Sequence, residues 1–127
     1  MMDANDDVVS VVDLAALVQE RTIRQPVWAY QSADLNVNLL VWGADEGVVE
    51  HVNSEVDVLL VGIAGDGLIE VDGTAHPLHS GQALIIPKGA RRAIRSTGDR
   101  FAYLTCHRRR AGLWPHRLPR PAGDQGK

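Results

Sequence analysis

A histidine, an asparagine and two carboxylates recur at every second position in one short run, as His51, Asn53, Glu55 and Asp57. An extended chain would set all four on one face, where imidazole and carboxylate together suit acid–base chemistry. Further along, Tyr103, Thr105 and His107 repeat that spacing behind Phe101, so a phenol and a second imidazole share another strand face. Between the two runs stand Arg91 and Arg92, of which a regular strand turns only one inward. An inward guanidinium would pair with a carboxylate, or anchor a carboxylate or phosphate on a small ligand. Plainer roles stand beside these: His51 as a hydrogen-bonded wall, Asp57 at a bend or a dimer contact, Tyr103 in the core and His107 at an edge.

Strands must position these groups. Leu35 to Trp42 alternates, with Leu35, Val37, Leu39 and Val41 on one side and Asn36, Asn38, Leu40 and Trp42 on the other. Strands are also predicted over 48–53 and 55–61. The Gly-Asp-Gly run at 62–67 reads as a turn into Leu68 to Val71, and Asp72-Gly73 is a second hairpin signal. Residues 74–78, 83–86, 91–95 and 100–107 complete the set, separated by Ser80-Gly81 and Pro87-Lys88-Gly89. Near the start, Asp13 is a candidate N-cap, with Leu14, Leu17 and Val18 on one face of a short helix. Pro26 stops that helix, and a short strand with Trp28 and Tyr30 follows. Turn signals at short, even intervals and a single helix predict an all-β sandwich or barrel. The expected division is an N-terminal segment at 1–34, the barrel at 35–107 and an extended Arg/Pro-rich tail at 108–127.

Composition narrows the function classes. The 127 residues suit one domain with its own core. A net charge of −3 disfavours nucleic acid as a partner, and the run Arg108–Arg109–Arg110 reads as a solvated tail or an intersubunit clamp. Cys106 is the single cysteine, which rules out an intramolecular disulfide, and alternation sets it opposite Tyr103 as a buried, inert thiol. His76 and His79 read as parts of a surface hairpin. No apolar run is long enough to span a bilayer, and the acidic start (Asp3, Asp6, Asp7) is unlike a signal peptide. The expectation is a cytoplasmic protein without a membrane or nucleic-acid partner.

Residues 35–107 resemble the cupin superfamily. His51, Asn53, Glu55 and Gly62 stand in the positions of its first motif, and Gly81, Pro87, Gly89, Arg92 and Ser96 in those of its second. The resemblance implies a cupin-type double-stranded β-helix, a jelly-roll barrel closed by tight Gly and Pro turns. It also implies a divalent transition metal on three histidines and a glutamate. Here Asn53 and Arg92 occupy two of the histidine positions, and Glu55 follows Asn53 too soon. A guanidinium offers no lone pair and repels a cation. The expectation is therefore a cupin with no cofactor, in which Glu55 and Arg92 pair in the barrel mouth. His51, Asn53, Glu55, Arg92 and Tyr103 would bind a small, anionic ligand. A homodimer is expected, with Trp28, Tyr30 and Trp42 supplying its apolar surface or the pocket wall. The alternative is a cupin enzyme. A metal-dependent dioxygenase or isomerase would use His51 and Glu55, whereas a metal-free isomerase or epimerase would draw on His51, Glu55, Tyr103 and His107. A sensory or docking module is the third class.

Overall fold

The computed structural model describes residues 9–19 and 25–108. The expectations for Asp3, Asp6, Asp7, Arg109, Arg110 and the tail beyond lie outside the described residues. The N-terminal helix is present: α1 spans Leu14–Gln19, and Asp13 caps it, its Oδ1 accepting from the Ala16 N–H at 3.1 Å. The remaining elements are strands: β1 Trp28–Gln31, β2 Leu35–Gly43, β3 Gly47–Val52, β4 Val58–Val71, β5 Thr74–His79, β6 Ala83–Ile86 and β7 Arg91–Arg108.

Two long strands, β4 and β7, run antiparallel to each other and take part in both layers of the barrel. In one layer the carboxyl half of β7 lies between β2 and the start of β4, with β1 and β6 outside them. In the other, the amino half of β7 lies between β3 and the end of β4, and β5 adds beside β4. This arrangement corrects two expectations. The run 62–67 is not a turn but the interior of β4, and 91–95 and 100–107 are one strand, not two. The glycines serve bending and close approach. Register shifts fall at Gly62/Ala64 and Gly65/Gly67, where β4 passes from one layer to the next. Gly65 has φ +73, and a Cβ there would sit 1.9 Å from the Arg100 carbonyl oxygen. The turn expected at Asp72-Gly73 does form, with both residues at positive φ (50 and 85) as a type I′ turn requires.

The main core lies between the layers and contains Leu60, Ile69, Leu78, Ile86, Ile94, Phe101 and Tyr103. The rings of Phe101 and Tyr103 lie 5.0 Å apart at 37°, a tilted contact worth about 0.5–1.5 kcal/mol beyond burial. A second cluster forms outside, where Leu14, Leu17 and Val18 of α1 cover Leu39, Ala102, Trp28 and Leu104. Arg100 donates to the Val18 carbonyl at 3.3 Å, which satisfies an acceptor near the end of this short helix. Trp28 thus packs beneath α1 and Trp42 against the main core, while Tyr30 remains exposed. Among the described residues no helix is long and apolar enough to cross a membrane.

Candidate functional site

One end of the space between the layers is an open cavity of about 180 Å³. Its polar lining comes from Asn38 of β2, His51 of β3, Asn53 just beyond it, and Arg92, Tyr103, Thr105 and His107 of β7. Leu40, Val48, Val58, Leu60, Ile86 and Ile94 supply the apolar surface.

The sequence reaches this arrangement by local devices. β3 pairs with β7 through Val48↔Ile94 and His51↔Arg92, with a bulge between the two pairs. The extra residue reverses the alternation, so His51 rather than Glu50 shares the inner face with Arg92. Glu50 instead meets Arg91 on the outside, at 3.2 Å. Only one arginine of the pair is buried, and it is Arg92, at 4% exposure. Its guanidinium donates to the carbonyls of Ala90 and Pro87, both at 3.3 Å, so the turn after β6 helps to orient it. That turn is itself tied down. Gly89 N–H donates to the Asn53 carbonyl at 2.7 Å, and Lys88 N–H to Asp57 Oδ1 at 2.9 Å. Asp57, immediately before β4, therefore holds the turn.

Asn53 has a divided role. Its Oδ1 accepts from the backbone N–H groups of Glu55 at 2.9 Å and Val56 at 3.4 Å, a local turn of the kind Asn favours. Its Nδ2 is buried and has no hydrogen-bond partner. β3 ends at Val52, so strand alternation does not extend to Glu55, and Glu55 is absent from the cavity lining. Its Oε1 is buried without a partner, and no Glu55–Arg92 ion pair occurs among the described residues. His51, Asn53, Arg92, Tyr103 and His107 are brought together; Glu55 is not.

The two imidazoles are oriented alike. His51 Nδ1 lies 3.0 Å from the Val49 carbonyl oxygen, and His107 Nδ1 lies 2.8 Å from that of Arg108. A carbonyl only accepts, so Nδ1 carries the hydrogen in both rings, and in a neutral ring Nε2 holds the lone pair. Tyr103 is 1% exposed and accepts a hydrogen bond from Trp42 Nε1 at 3.0 Å. Burial pushes its hydroxyl up to about 12, and the Trp42 bond pulls the other way. Asn38 and Thr105 carried no site expectation of their own. Both stand on the alternating faces read from the sequence, opposite each other in the β2–β7 register.

This donor set does not fit the transition metal that the cupin resemblance implies. Among the described residues, no three His, Cys, Asp or Glu side chains gather as a ligand group. The cavity offers two imidazoles, and a guanidinium shares the space with them. His79, on the outer hairpin, is engaged by Asp66 at 2.7 Å.

No protein-family model matches the chain. Its fold, however, is that of solved cupin structures. A cupin superfamily protein from Desulfitobacterium hafniense is 24% identical, with a TM-score of 0.62 over 75% of this chain and 86% of that one. A protein from Bacillus halodurans reaches a TM-score of 0.70 at 19% identity, over 81% of this chain and 83% of its own. A predicted oxalate decarboxylase from Thermotoga maritima gives 0.56 at 14% identity, over 60% and 67%. By sequence, Protein SchB of Streptomyces halstedii is 37% identical over 62 residues, which are 49% of this chain and 45% of SchB. The match thus spans less than half the length of this curated relative. This chain has the cupin fold, an antiparallel β-barrel with one short helix.

Proposed function

We propose that this cupin barrel binds a small anionic ligand, without a metal, in the cavity between β2, β3 and β7. The observation that carries the reading is Asn53 Nδ2, a buried donor without a partner on a residue of the cavity wall. An unsatisfied buried donor costs about 1–3 kcal/mol, which an acceptor atom on a ligand would offset. The guanidinium of Arg92 stands in the same lining, a group whose planar donors suit a carboxylate. At about 180 Å³ the cavity is smaller than the roughly 300–1,000 Å³ of sites for drug-sized ligands, so short-chain carboxylates fit better than nucleotides.

Thermal denaturation with acetate, propionate and succinate, each against its amide at matched ionic strength, tests the reading. The acids should raise the Tm and the amides should not, with about 2.7 kcal/mol of stabilisation at a hundredfold excess over Kd. Equal behaviour of acids and amides would overturn it.

Proton transfer is the second reading, favoured by the presence of the His107 imidazole and the Tyr103 hydroxyl in one cavity. An imidazole with its lone pair on Nε2 can take a proton, and a phenol can return one. The high position of Tyr103, about 12, makes it a better hydrogen-bond donor than acid near neutrality. That imbalance ranks binding above catalysis.

A further inference from the structure

Resting on the anion-binding reading, we infer that the Tyr103 hydroxyl is a second hydrogen-bond donor to the bound carboxylate, positioned for that role by Trp42. Tyr103 is 1% exposed and lines the cavity. Its oxygen accepts from Trp42 Nε1 at 3.0 Å. An indole nitrogen only donates, so this bond uses a lone pair of the phenol and leaves its hydrogen unspent. No described residue accepts that hydrogen. The residues directly opposite Tyr103 are Leu40 of β2 and Gly62 of β4, and neither has a polar side chain.

A phenolic hydrogen turns about its C–O bond, and whatever holds the oxygen decides where it points. With Trp42 Nε1 seated on that oxygen the hydrogen is excluded from the indole side, and the open space that Tyr103 lines is the cavity. Burial pushes the hydroxyl up to about 12, so the hydrogen is present throughout the neutral range. Asn53 Nδ2, the buried donor without a partner, follows β3 in the other layer. The two layers thus each bring one buried donor to the same cavity. A carboxylate has acceptor positions on both oxygens and meets donors from either wall. Trp42, Tyr103 and the carboxylate then form a chain of hydrogen bonds in which each bond strengthens the next. A tyrosine serving the core alone would satisfy Trp42 and do nothing for the anion.

The test uses the full chain, isotope-labelled for nuclear magnetic resonance, with acetate, propionate and succinate as probes at fixed pH and ionic strength. The Trp42 indole N–H resonance, identified by its loss in Trp42→Phe, should move downfield as a probe saturates the protein, because a phenol that donates to an anion accepts more strongly. In titration calorimetry Tyr103→Phe should weaken the tightest probe roughly tenfold, the effect of one hydrogen bond to a charged group. Trp42→Phe should weaken it less, and should add no loss in the Tyr103→Phe background, because it acts through the hydroxyl. Circular dichroism checks the fold of each variant, and the wild-type resonance decides the matter if Tyr103→Phe does not fold. Equal losses from Trp42→Phe with and without the hydroxyl would overturn the positioning role. If a probe binds but the Trp42 resonance stays in place, or Tyr103→Phe binds it as tightly as wild type, the Tyr103 assignment falls while the anion-binding reading stands. If no probe binds wild type, the anion-binding reading itself falls and takes this assignment with it.

Discussion

Trp42 donates its indole N–H to the Tyr103 hydroxyl at 3.0 Å, and the two are diagonal neighbours across β2 and β7, where Trp42 faces Phe101 and Leu40 faces Tyr103. The bond occupies an acceptor position of the phenol oxygen and leaves its O–H free to donate. A fully buried side chain is thereby held with a polar group at the cavity.

The first prediction concerns alkaline pH. Burial raises Tyr103 from 10.0 to about 12, so between those values the folded state retains a proton that the unfolded state releases. Its contribution to stability is complete below pH 10 and is lost as pH rises towards 12. Urea unfolding should show wild type losing about 2–3 kcal/mol relative to Tyr103→Phe across that window. Trp42→Phe removes a donor that favours the phenolate, so the Tyr103 absorbance transition should move higher still. A flat difference between wild type and Tyr103→Phe would refute the burial argument.

Gly65 and Gly73 both have positive φ, but only Gly65 is crowded. A Cβ at Gly65 meets the Arg100 carbonyl oxygen at 1.9 Å, whereas Gly73 has nothing within 4 Å. Gly65→Ala should cost about 4 kcal/mol or more, in the exceptional range for one substitution. Gly73→Ala should cost only the left-handed conformational penalty of about 1–2 kcal/mol. Denaturant midpoints of the two variants measure the difference, and similar losses would mean that β4 and β7 do not approach closely at this point.

Asn53→Asp separates the fold from the proposed binding. The substitution retains the Oδ1 that accepts from Glu55 and Val56 and exchanges the unpartnered Nδ2 for a negatively charged oxygen. The new oxygen is buried and charged, so stability should fall by at least about 1–3 kcal/mol, while stabilisation of the folded variant by carboxylates should disappear. Retained stabilisation would remove Asn53 from the site.

Manganese, nickel and zinc salts should leave the Tm of tag-free protein unchanged, because an ion held only by the native state must raise it. A dose-dependent rise with any of the three would show that His51 and His107 recruit further ligands and that the Arg92 charge is tolerated.

The features that could be read from the sequence are those decided by near neighbours along the chain. Asp13 caps α1, Asp72-Gly73 turns a hairpin, and alternation sorts Tyr103 and His107 from Cys106, because caps, turns and strand faces depend on a few adjacent dihedral angles. The run 62–67 was misleading since glycine suits both a turn and a close approach, and only the Arg100 backbone and Phe101 ring alongside distinguish the two. The site residues divide in the same way. Arg92 and His51 meet because a bulge in β3 shifts the register, and Glu55 drops out because β3 stops before reaching it. Pairing with a strand far along the chain sets both the bulge and the end of the strand. The types of the site residues are therefore written locally, but their convergence in one cavity depends on long-range register.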